Sequence, residues 1–279
     1  MKTNKWKTAY PVVQEGVIAD VMGWQAATGY DPVFEKLKEM GYDGIELLAR
    51  DFNTLDAGRL RQALDRHGLK AAAVGTSPMQ KMDGLFLIHS DDTVRKEAKR
   101  QAFLQLALCA ELGAKACIGK FRGTISKEPG CTWEDLAEVM HEIGREAQRL
   151  GVTVVVEPQN PSGINNLNGI GDTLEWLRAL QEPQIHLHAD TFHMNLTEDN
   201  EPQSLRAAGF LGKGGEIGFF HISDTKRLVP GRGELDFDEI FAALEDISYE
   251  GYISPEIAQR PDSETAARES AAFLGKYRS

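Results

Sequence analysis

Four residues of types that commonly bind metal ions recur at nearly equal spacing in the second half of the chain. Glu157 follows the apolar run VVV, Asp190 ends HLHAD, His221 ends GFFH, and Glu256 follows YISP. Their separations are 33 (190 − 157), 31 (221 − 190) and 35 (256 − 221) residues. Each separation fits one strand–helix unit of an α/β protein. We therefore expect four successive strands to deliver Glu, Asp, His and Glu to one place.

The chemistry of this set indicates a divalent cation. Three carboxylates packed together in a low-dielectric site repel one another strongly unless a cation lies between them. One imidazole with three carboxylates suits Mn²⁺, Mg²⁺ or Co²⁺ better than it suits a structural Zn²⁺, which favours thiolate and imidazole. The sequence predicts one such ion bound by Glu157, Asp190, His221 and Glu256, with Zn²⁺ as a further option.

The elements that must position these residues are marked by a recurring pattern. Amphipathic runs end near Gly41, Gly68, Gly113 and Gly151, and a short apolar run follows each of these glycines. Glycine relieves the left-handed position that often follows a helix. Short continuous apolar runs are typical of strands buried on both faces. The pattern predicts helices alternating with the strands of a parallel sheet.

Eight predicted strands favour a closed barrel over an open doubly wound sheet. The chain contains neither the Gly-rich G-x-G-x-x-G turn of such a sheet nor a linker rich in Pro, Gly or Ser. We predict one domain, residues 1–279, with the (β/α)8 TIM-barrel fold, whose functional residues lie at the carboxyl ends of the strands. Patterns resembling capping boxes predict helix starts at Thr132 and Asp236. The predicted strands are residues 11–14, 44–47, 71–74, 116–119, 152–156, 185–189, 217–220 and 252–254.

Composition narrows the class of partner. The chain has 31 basic and 42 acidic residues and a net charge of −11, so nucleic acid is a poor partner. It contains no apolar run long enough to span a membrane, and residues 1–9 lack the features of a secretory signal. We therefore expect a cytoplasmic enzyme with a small-molecule substrate. The three cysteines are an odd number without paired spacing and are expected to be free, buried thiols.

The segments EPQN, ADTFHMN, FHISDTKRLVPGRGELDF and SPEI resemble motifs of the xylose isomerase-like TIM-barrel superfamily. They are most similar to its sugar isomerase/epimerase branch, which includes ketose 3-epimerases of the D-tagatose and D-psicose type. The resemblance implies the same four metal ligands and catalytic acid/base roles for Glu157 and Glu256. It also implies that His193 and Arg227 hold substrate oxygens.

The reaction implied is proton transfer beside a carbonyl. A metal chelated by a ketose carbonyl and its neighbouring hydroxyl acidifies the C–H between them and stabilises a cis-enediolate. Return of the proton to the opposite face gives epimerisation, and return to the adjacent carbon gives aldose–ketose isomerisation. The substrate is thus a sugar or a keto-acid. By analogy with related barrels, a homodimer or homotetramer is expected.

Several alternatives remain open on the sequence alone. A metal-dependent lyase that cleaves 3-keto-glycosides, or an isomerase of inososes or hydroxypyruvate, would use the same groups. A DNA-repair endonuclease of the superfamily needs more histidine ligands and a basic face, which seven histidines and the acidic charge disfavour. A non-catalytic sugar-binding barrel is disfavoured by the presence of both glutamates, His193 and Arg227.

One departure from the family pattern concerns the substrate. Ketose epimerases of this type usually continue E-P-L-N-R-x-E after the first glutamate, whereas this chain has EPQNPSG and so lacks the arginine and the second acid. Asn160 in this segment is a predicted substrate contact. Glu46, which ends a strand, is predicted to face either the substrate or an ion-pair partner. Lys120 and Arg122 are predicted to bind a substrate carboxylate or phosphate, or to pair with nearby acids.

Overall fold

A computed structural model describes residues 6–278. Its strands all run parallel, and eight of them close into a barrel in which neighbours follow chain order. A further strand of two residues, β2, pairs with the end of β1. The strands are β1 (Lys7–Val13), β2 (Trp24–Gln25), β3 (Gly44–Leu48), β4 (Lys70–Gly75), β5 (Lys115–Ile118), β6 (Val154–Val156), β7 (Ile185–Asp190), β8 (Ile217–Ile222) and β9 (Tyr252–Pro255).

The predicted barrel is confirmed, with differences at the ends of strands. The first strand begins at Lys7 rather than at residue 11, because Lys7 and Thr8 pair with β9 across the seam that closes the barrel and Ala9 begins the pairing with β3. The strand predicted from residue 152 begins at Val154. The short β2 was not predicted, since two half-buried residues carry no detectable alternation.

Helices surround the barrel. No helix among residues 6–278 has both the length and the apolar composition needed to cross a lipid bilayer. The helices are α1 (Asp31–Glu39), α2 (Ala57–His67), α3 (Ser77–Asp83), α4 (Asp92–Leu112), α5 (Trp133–Leu150), α6 (Ile170–Leu180), α7 (Thr191–Thr197), α8 (Glu201–Ala208), α9 (Phe237–Asp246) and α10 (Ser263–Leu274), with 3₁₀ turns at Lys120–Arg122, Leu211–Lys213 and Thr225–Arg227.

The predicted helix boundaries are found at both ends. Gly68, Gly113 and Gly151 follow α2, α4 and α5 in the left-handed conformation, which residues with a Cβ adopt at a cost. A complete capping box starts α5 at Thr132. At the start of α9 half of the capping box forms. The carboxylate of Asp236 accepts the backbone N–H of Glu239 at 3.2 Å.

Strand alternation separates two cores. The large core between sheet and helices takes Val154 and Val156 from β6 and Phe220 from β8. A small cluster takes the intervening residues, among them Val155 and Phe219, together with alanines from β1 and β4. Successive side chains of a strand point to opposite faces, so this second cluster fills the barrel interior. A residue two positions beyond an interior residue therefore points into the barrel mouth.

Candidate metal centre and active site

A cavity of about 760 Å³ opens where the strands end at their carboxyl termini. Glu157 comes two residues after the interior Val155, and His221 comes two residues after the interior Phe219. On β7, His188 and Asp190 share the same face. Strand periodicity thus aims the predicted ligands at one region, which is where TIM barrels carry their functional groups.

The four predicted metal ligands lie together. One ligand atom each from Glu157, Asp190, His221 and Glu256 falls within 4.8 Å of the others. The Nδ1 of His221 is 3.2 Å from Oε1 of Glu157, 3.7 Å from Oδ2 of Asp190 and 3.7 Å from Oε2 of Glu256. One imidazole nitrogen therefore faces three carboxylate oxygens, which is a mixed donor set that a divalent cation satisfies.

Glu46 controls which nitrogen of His221 faces this set. Its Oε2 lies 2.7 Å from Nε2 of His221 and accepts the Ser254 hydroxyl at 2.9 Å. A hydrogen on Nε2 donated to Glu46 leaves the Nδ1 lone pair toward the three carboxylates, as a metal ligand requires. Glu46 also lines the cavity. Of the two roles predicted for Glu46, the structure displays the contact with a charged partner, and a substrate contact stays a prediction.

The cluster strongly favours a bound positive charge. Burial lowers the pKa of His221, but Glu46 and Glu256 outweigh it and raise this pKa well above its usual value. A site that binds a proton this tightly on its imidazole is short of cationic charge. A divalent ion at the same position would offset the carboxylates without a proton on His221, so the residues present fit the metal that the sequence predicts.

The two candidate acid/base groups differ in acidity. Burial raises the pKa of Glu157, yet His188 and His221 outweigh burial and hold it at about 2. Burial also raises the pKa of Glu256, and the opposing effects of Arg227 and His221 leave it at about 7. Two carboxyls whose environments push their pKa values apart are typical of an acid/base pair.

Arg227 joins two of the predicted ligands. Its Nη1 donates to Oδ2 of Asp190 at 2.6 Å, and its Nη2 lies 2.8 Å from Oε2 of Glu256. Its guanidinium also stacks on the ring of Phe192, 4.3 Å from the centroid. Burial raises the pKa of Asp190, but Arg227 lowers it well below its usual range. The arginine thus fixes the carboxylates and keeps Asp190 ionised.

The backbone that presents Arg227 is strained. Lys226 and Arg227 both have positive φ, 59° and 58°, a conformation that costs energy in residues with a side chain. The carboxylate of Asp224 holds the following loop by accepting the backbone N–H groups of Gly231 and Gly233 at 2.9 and 2.8 Å. The segment 229–233, which follows Arg227, is fixed in this way.

His193 lies between Arg227 and Asn160. Its Nδ1 accepts the backbone N–H of Asn160 at 3.2 Å, which places the hydrogen of the neutral ring on Nε2. That Nε2 lies 3.0 Å from Nη2 of Arg227, so two donors meet at the edge of the cavity. Asn160 contacts His193 also through its side chain, at 2.9 Å. The structure brings these three predicted substrate contacts together.

Of the two cations predicted to bind an anion, Lys120 is the one that lines the cavity with a side chain unpaired among residues 6–278. Arg122 is buried, and its guanidinium donates to the carbonyls of Gly119, Glu157, Asn166 and Leu167 and to the amide oxygen of Asn166. All five of its N–H groups are used. Burial lowers the pKa of Arg122 to about 10. The prediction that Arg122 binds an anion is therefore wrong. Its guanidinium instead stabilises the backbone of Glu157.

Gln159 and Gly119, two residues near Glu157, were not anticipated as parts of the site. Gln159 donates its amide to Oε2 of Glu157, and a Cβ on Gly119 would lie 2.8 Å from that amide. The EPQN segment carried a signal for Gln159, because strand alternation directs residue 159 to the same side as residue 157. His188 is buried beside the ring of His221, with centroids 4.1 Å apart, and neither of its nitrogens has a partner among residues 6–278.

Comparisons with known proteins agree with this arrangement. The family model described as "Xylose isomerase-like TIM barrel" matches residues 34–277. A ketose 3-epimerase of Arthrobacter globiformis is 30% identical over 250 residues, which cover 88% of this chain and 82% of that protein. A 3-dehydro-D-guloside 4-epimerase of Escherichia coli is 28% identical over 255 residues, covering 86% and 92%.

A solved structure shares the fold. The D-allulose 3-epimerase of Methylomonas sp., in complex with D-allulose, superposes with a TM-score of 0.77 and covers 99% of this chain and 100% of that chain. Its sequence identity is 23%, so this similarity concerns the fold alone.

Proposed function

Because this chain belongs to the xylose isomerase-like TIM-barrel family, we propose that it is a divalent-metal-dependent epimerase that inverts the carbon beside a ketose carbonyl. It is an enzyme of the isomerase class, like the two curated relatives described above. Since those relatives are epimerases, the lyase and hydrolase alternatives are not favoured. The observation that carries the proposal is the convergence of Glu157, Asp190, His221 and Glu256 within 4.8 Å.

The metal centre provides the first half of the chemistry. Glu157, Asp190, His221 and Glu256 would hold the ion, which would supply a Lewis acid beside the ketose carbonyl. The oxygen-rich donor set favours Mn²⁺, Mg²⁺ or Co²⁺ over Zn²⁺. Glu46 supports the site by accepting the Nε2–H of His221, which holds the imidazole in the tautomer whose Nδ1 can bind the metal.

The two glutamates provide the second half. Inversion at carbon requires that a proton leave from one face and that a proton return to the other, which two separate carboxyls can do. Glu157, whose pKa is lowered, is the carboxylate that would accept the C–H proton. Glu256, whose pKa is raised, is the carboxyl that would return one. In the reverse reaction the two groups exchange roles, and no net oxidation occurs.

His193 and Arg227 orient the substrate. The Nε2–H of His193 and the Nη2 of Arg227 meet at 3.0 Å, an unfavourable contact between two donors. A substrate oxygen that accepts hydrogen bonds from both groups relieves it. Arg227 also donates to Asp190, so the same guanidinium would link the substrate to the metal-binding carboxylates.

Solvent-deuterium exchange followed by NMR tests the proposal. The metal-loaded protein is incubated in D₂O with D-fructose, D-psicose and D-tagatose, beside an EDTA-treated control. Metal-dependent deuterium at C3 together with the C3 epimer is the expected result. Deuterium accompanied by an aldose would identify isomerisation instead. No exchange with these ketoses or with their 6-phosphate and 6-carboxylate counterparts, despite bound metal, would overturn the proposed function.

A further inference from the structure

We propose that the substrate is an acidic sugar, a ketose with a carboxylate or a phosphate at the end remote from its carbonyl, and that Lys120 binds this anion. The inference rests on the function proposed above. It names the substrate class of the same site and makes Lys120 the residue that determines specificity.

Lys120 is a half-buried cation without a counterion. Four cationic side chains line the cavity, namely those of Lys81, Lys120, Arg227 and Arg260. Lys81 forms an ion pair with Asp20, and Arg227 pairs with two of the predicted metal ligands. Arg260 is exposed to solvent. Within residues 6–278, the ammonium of Lys120 forms neither an ion pair nor a hydrogen bond although it is half-buried.

A row of contacts leads from the metal centre to Lys120. Arg227 touches His193 at 3.0 Å, and His193 touches the backbone of Asn160 at 3.2 Å. The turn that follows closes with a hydrogen bond from Gly163 N–H to the Asn160 carbonyl at 3.0 Å. The side chain of Lys120 lies directly on Gly163. Because Lys120 lines the same cavity as Glu157, His221 and Glu256, a ketose with its carbonyl end at the metal ligands can extend toward the ammonium.

Gly163 provides the space that Lys120 occupies. A Cβ at residue 163 would lie 2.6 Å from Cε and 2.7 Å from Nζ of Lys120, closer than such atoms can approach. Any side chain at this position would displace the ammonium. Glycine therefore permits the placement of the lysine at the rim of the cavity.

The chemistry of the unpaired ammonium selects an anion. A lysine offers three donors and one full positive charge, and hydrogen bonds between ionised groups are about twice as strong as neutral ones. A sugar hydroxyl could accept one bond from Lys120 but would leave its charge unmatched. A carboxylate or phosphate would supply both the acceptors and the counter-charge. The neighbouring Arg122 cannot share this role because five acceptors already occupy it.

The test compares neutral and acidic ketoses in the metal-loaded full-length enzyme. The substrates are D-fructose, D-psicose and D-tagatose, each with its 6-phosphate and its 6-carboxylate counterpart. The wild-type enzyme should have the higher kcat/KM for one acidic series. Lys120→Met should lower that kcat/KM roughly 10- to 100-fold, the range expected for one charge-assisted hydrogen bond, and leave neutral ketoses within about twofold. Lys120→Arg should restore most of the loss.

Two further variants separate charge from position. Lys127→Met makes the same charge change at an exposed lysine of the same loop that does not line the cavity, and it should leave every kcat/KM unchanged. Gly163→Ala keeps the charge but pushes the lysine side chain away. It should lower kcat/KM for the acidic ketose by raising KM more than it lowers kcat.

Each outcome bears on the proposal. The acidic series that responds to Lys120→Met identifies the anion as phosphate or carboxylate. Equal losses for neutral and acidic ketoses in that variant, or a wild-type preference for neutral ketoses, would overturn the anion site while leaving the epimerase intact. No turnover of any member of the panel would instead overturn the proposed function itself, and the anion site with it.

Discussion

Replacing Glu46 with glutamine is expected to weaken metal binding about tenfold and to leave the fold intact. One oxygen of Glu46 lies 2.7 Å from Nε2 of His221 and 2.9 Å from the hydroxyl of Ser254. Glutamine has nearly the same shape, and its amide oxygen can accept both hydrogen bonds. The substitution therefore removes a negative charge behind the histidine and little else.

The magnitude follows from this hydrogen bond. A hydrogen bond to a charged group contributes about 1.5–3 kcal/mol and a neutral one about 1 kcal/mol. The difference, about 0.5–2 kcal/mol, corresponds to a rise of roughly 2- to 30-fold in the Kd of the metal. Both Glu46 and His221 are buried, so salt and solvent screen the interaction only weakly.

Calorimetric titration of the EDTA-stripped protein with Mn²⁺ measures this Kd. Glu35→Gln is the matched control, because it removes the same charge from an exposed position on α1 and should leave the Kd unchanged. The steady-state KM for the ketose is measured in parallel. An unaltered Kd for Mn²⁺ combined with a raised KM would refute the reasoning and would make Glu46 a substrate contact.

Three other substitutions and one chemical modification test the site and the fold. Glu157→Gln and Glu256→Gln should each lower kcat at least about 100-fold, since each removes one proton-transfer group; near-normal deuterium exchange in either variant would contradict the two-carboxyl mechanism. Thr132→Ala removes half of the capping box of α5 and should lower the thermal midpoint by about 2–4 °C, the effect of about 1 kcal/mol; an unchanged midpoint would refute this energetic role. Burial raises the pKa of the Cys109 and Cys117 thiols, so Ellman's reagent should label them only after unfolding; rapid labelling of the native protein would count against their burial.

Strand periodicity explains why so much of the site could be predicted from the sequence. Short apolar runs identified the strands, and alternation then fixed the direction of the residue at each strand end. Glu157 and His221 each lie two positions beyond an interior residue, Val155 and Phe219. The nearly equal spacing of the βα units then predicted that the four ligands lie together, because parallel strands of a closed barrel end at one rim.

Contacts between distant residues explain what the sequence left open. Lys120 and Arg122 stand two positions apart and look alike in the sequence, yet only Arg122 enters the interior. The position of its side chain depends on hydrogen bonds to carbonyl groups of Asn166 and Leu167, which come more than 40 positions later in the chain. Glu46 meets His221 across 175 positions. Local sequence patterns do not identify such distant partners, so the residue types could be predicted but their pairing could not.

The five acceptors around Arg122 divide the loop after β6 into an anchored part and an exchangeable part. Asn166 and Leu167 are tied to the arginine, which also holds the carbonyl of Glu157. Pro161 and Ser162 are exposed, and within residues 6–278 neither accepts a hydrogen bond from Arg122. An engineer could therefore graft a different sequence at 161–163 to change which sugars are accepted without disturbing the metal ligand next to it. Natural variation can explore substrate range by the same route.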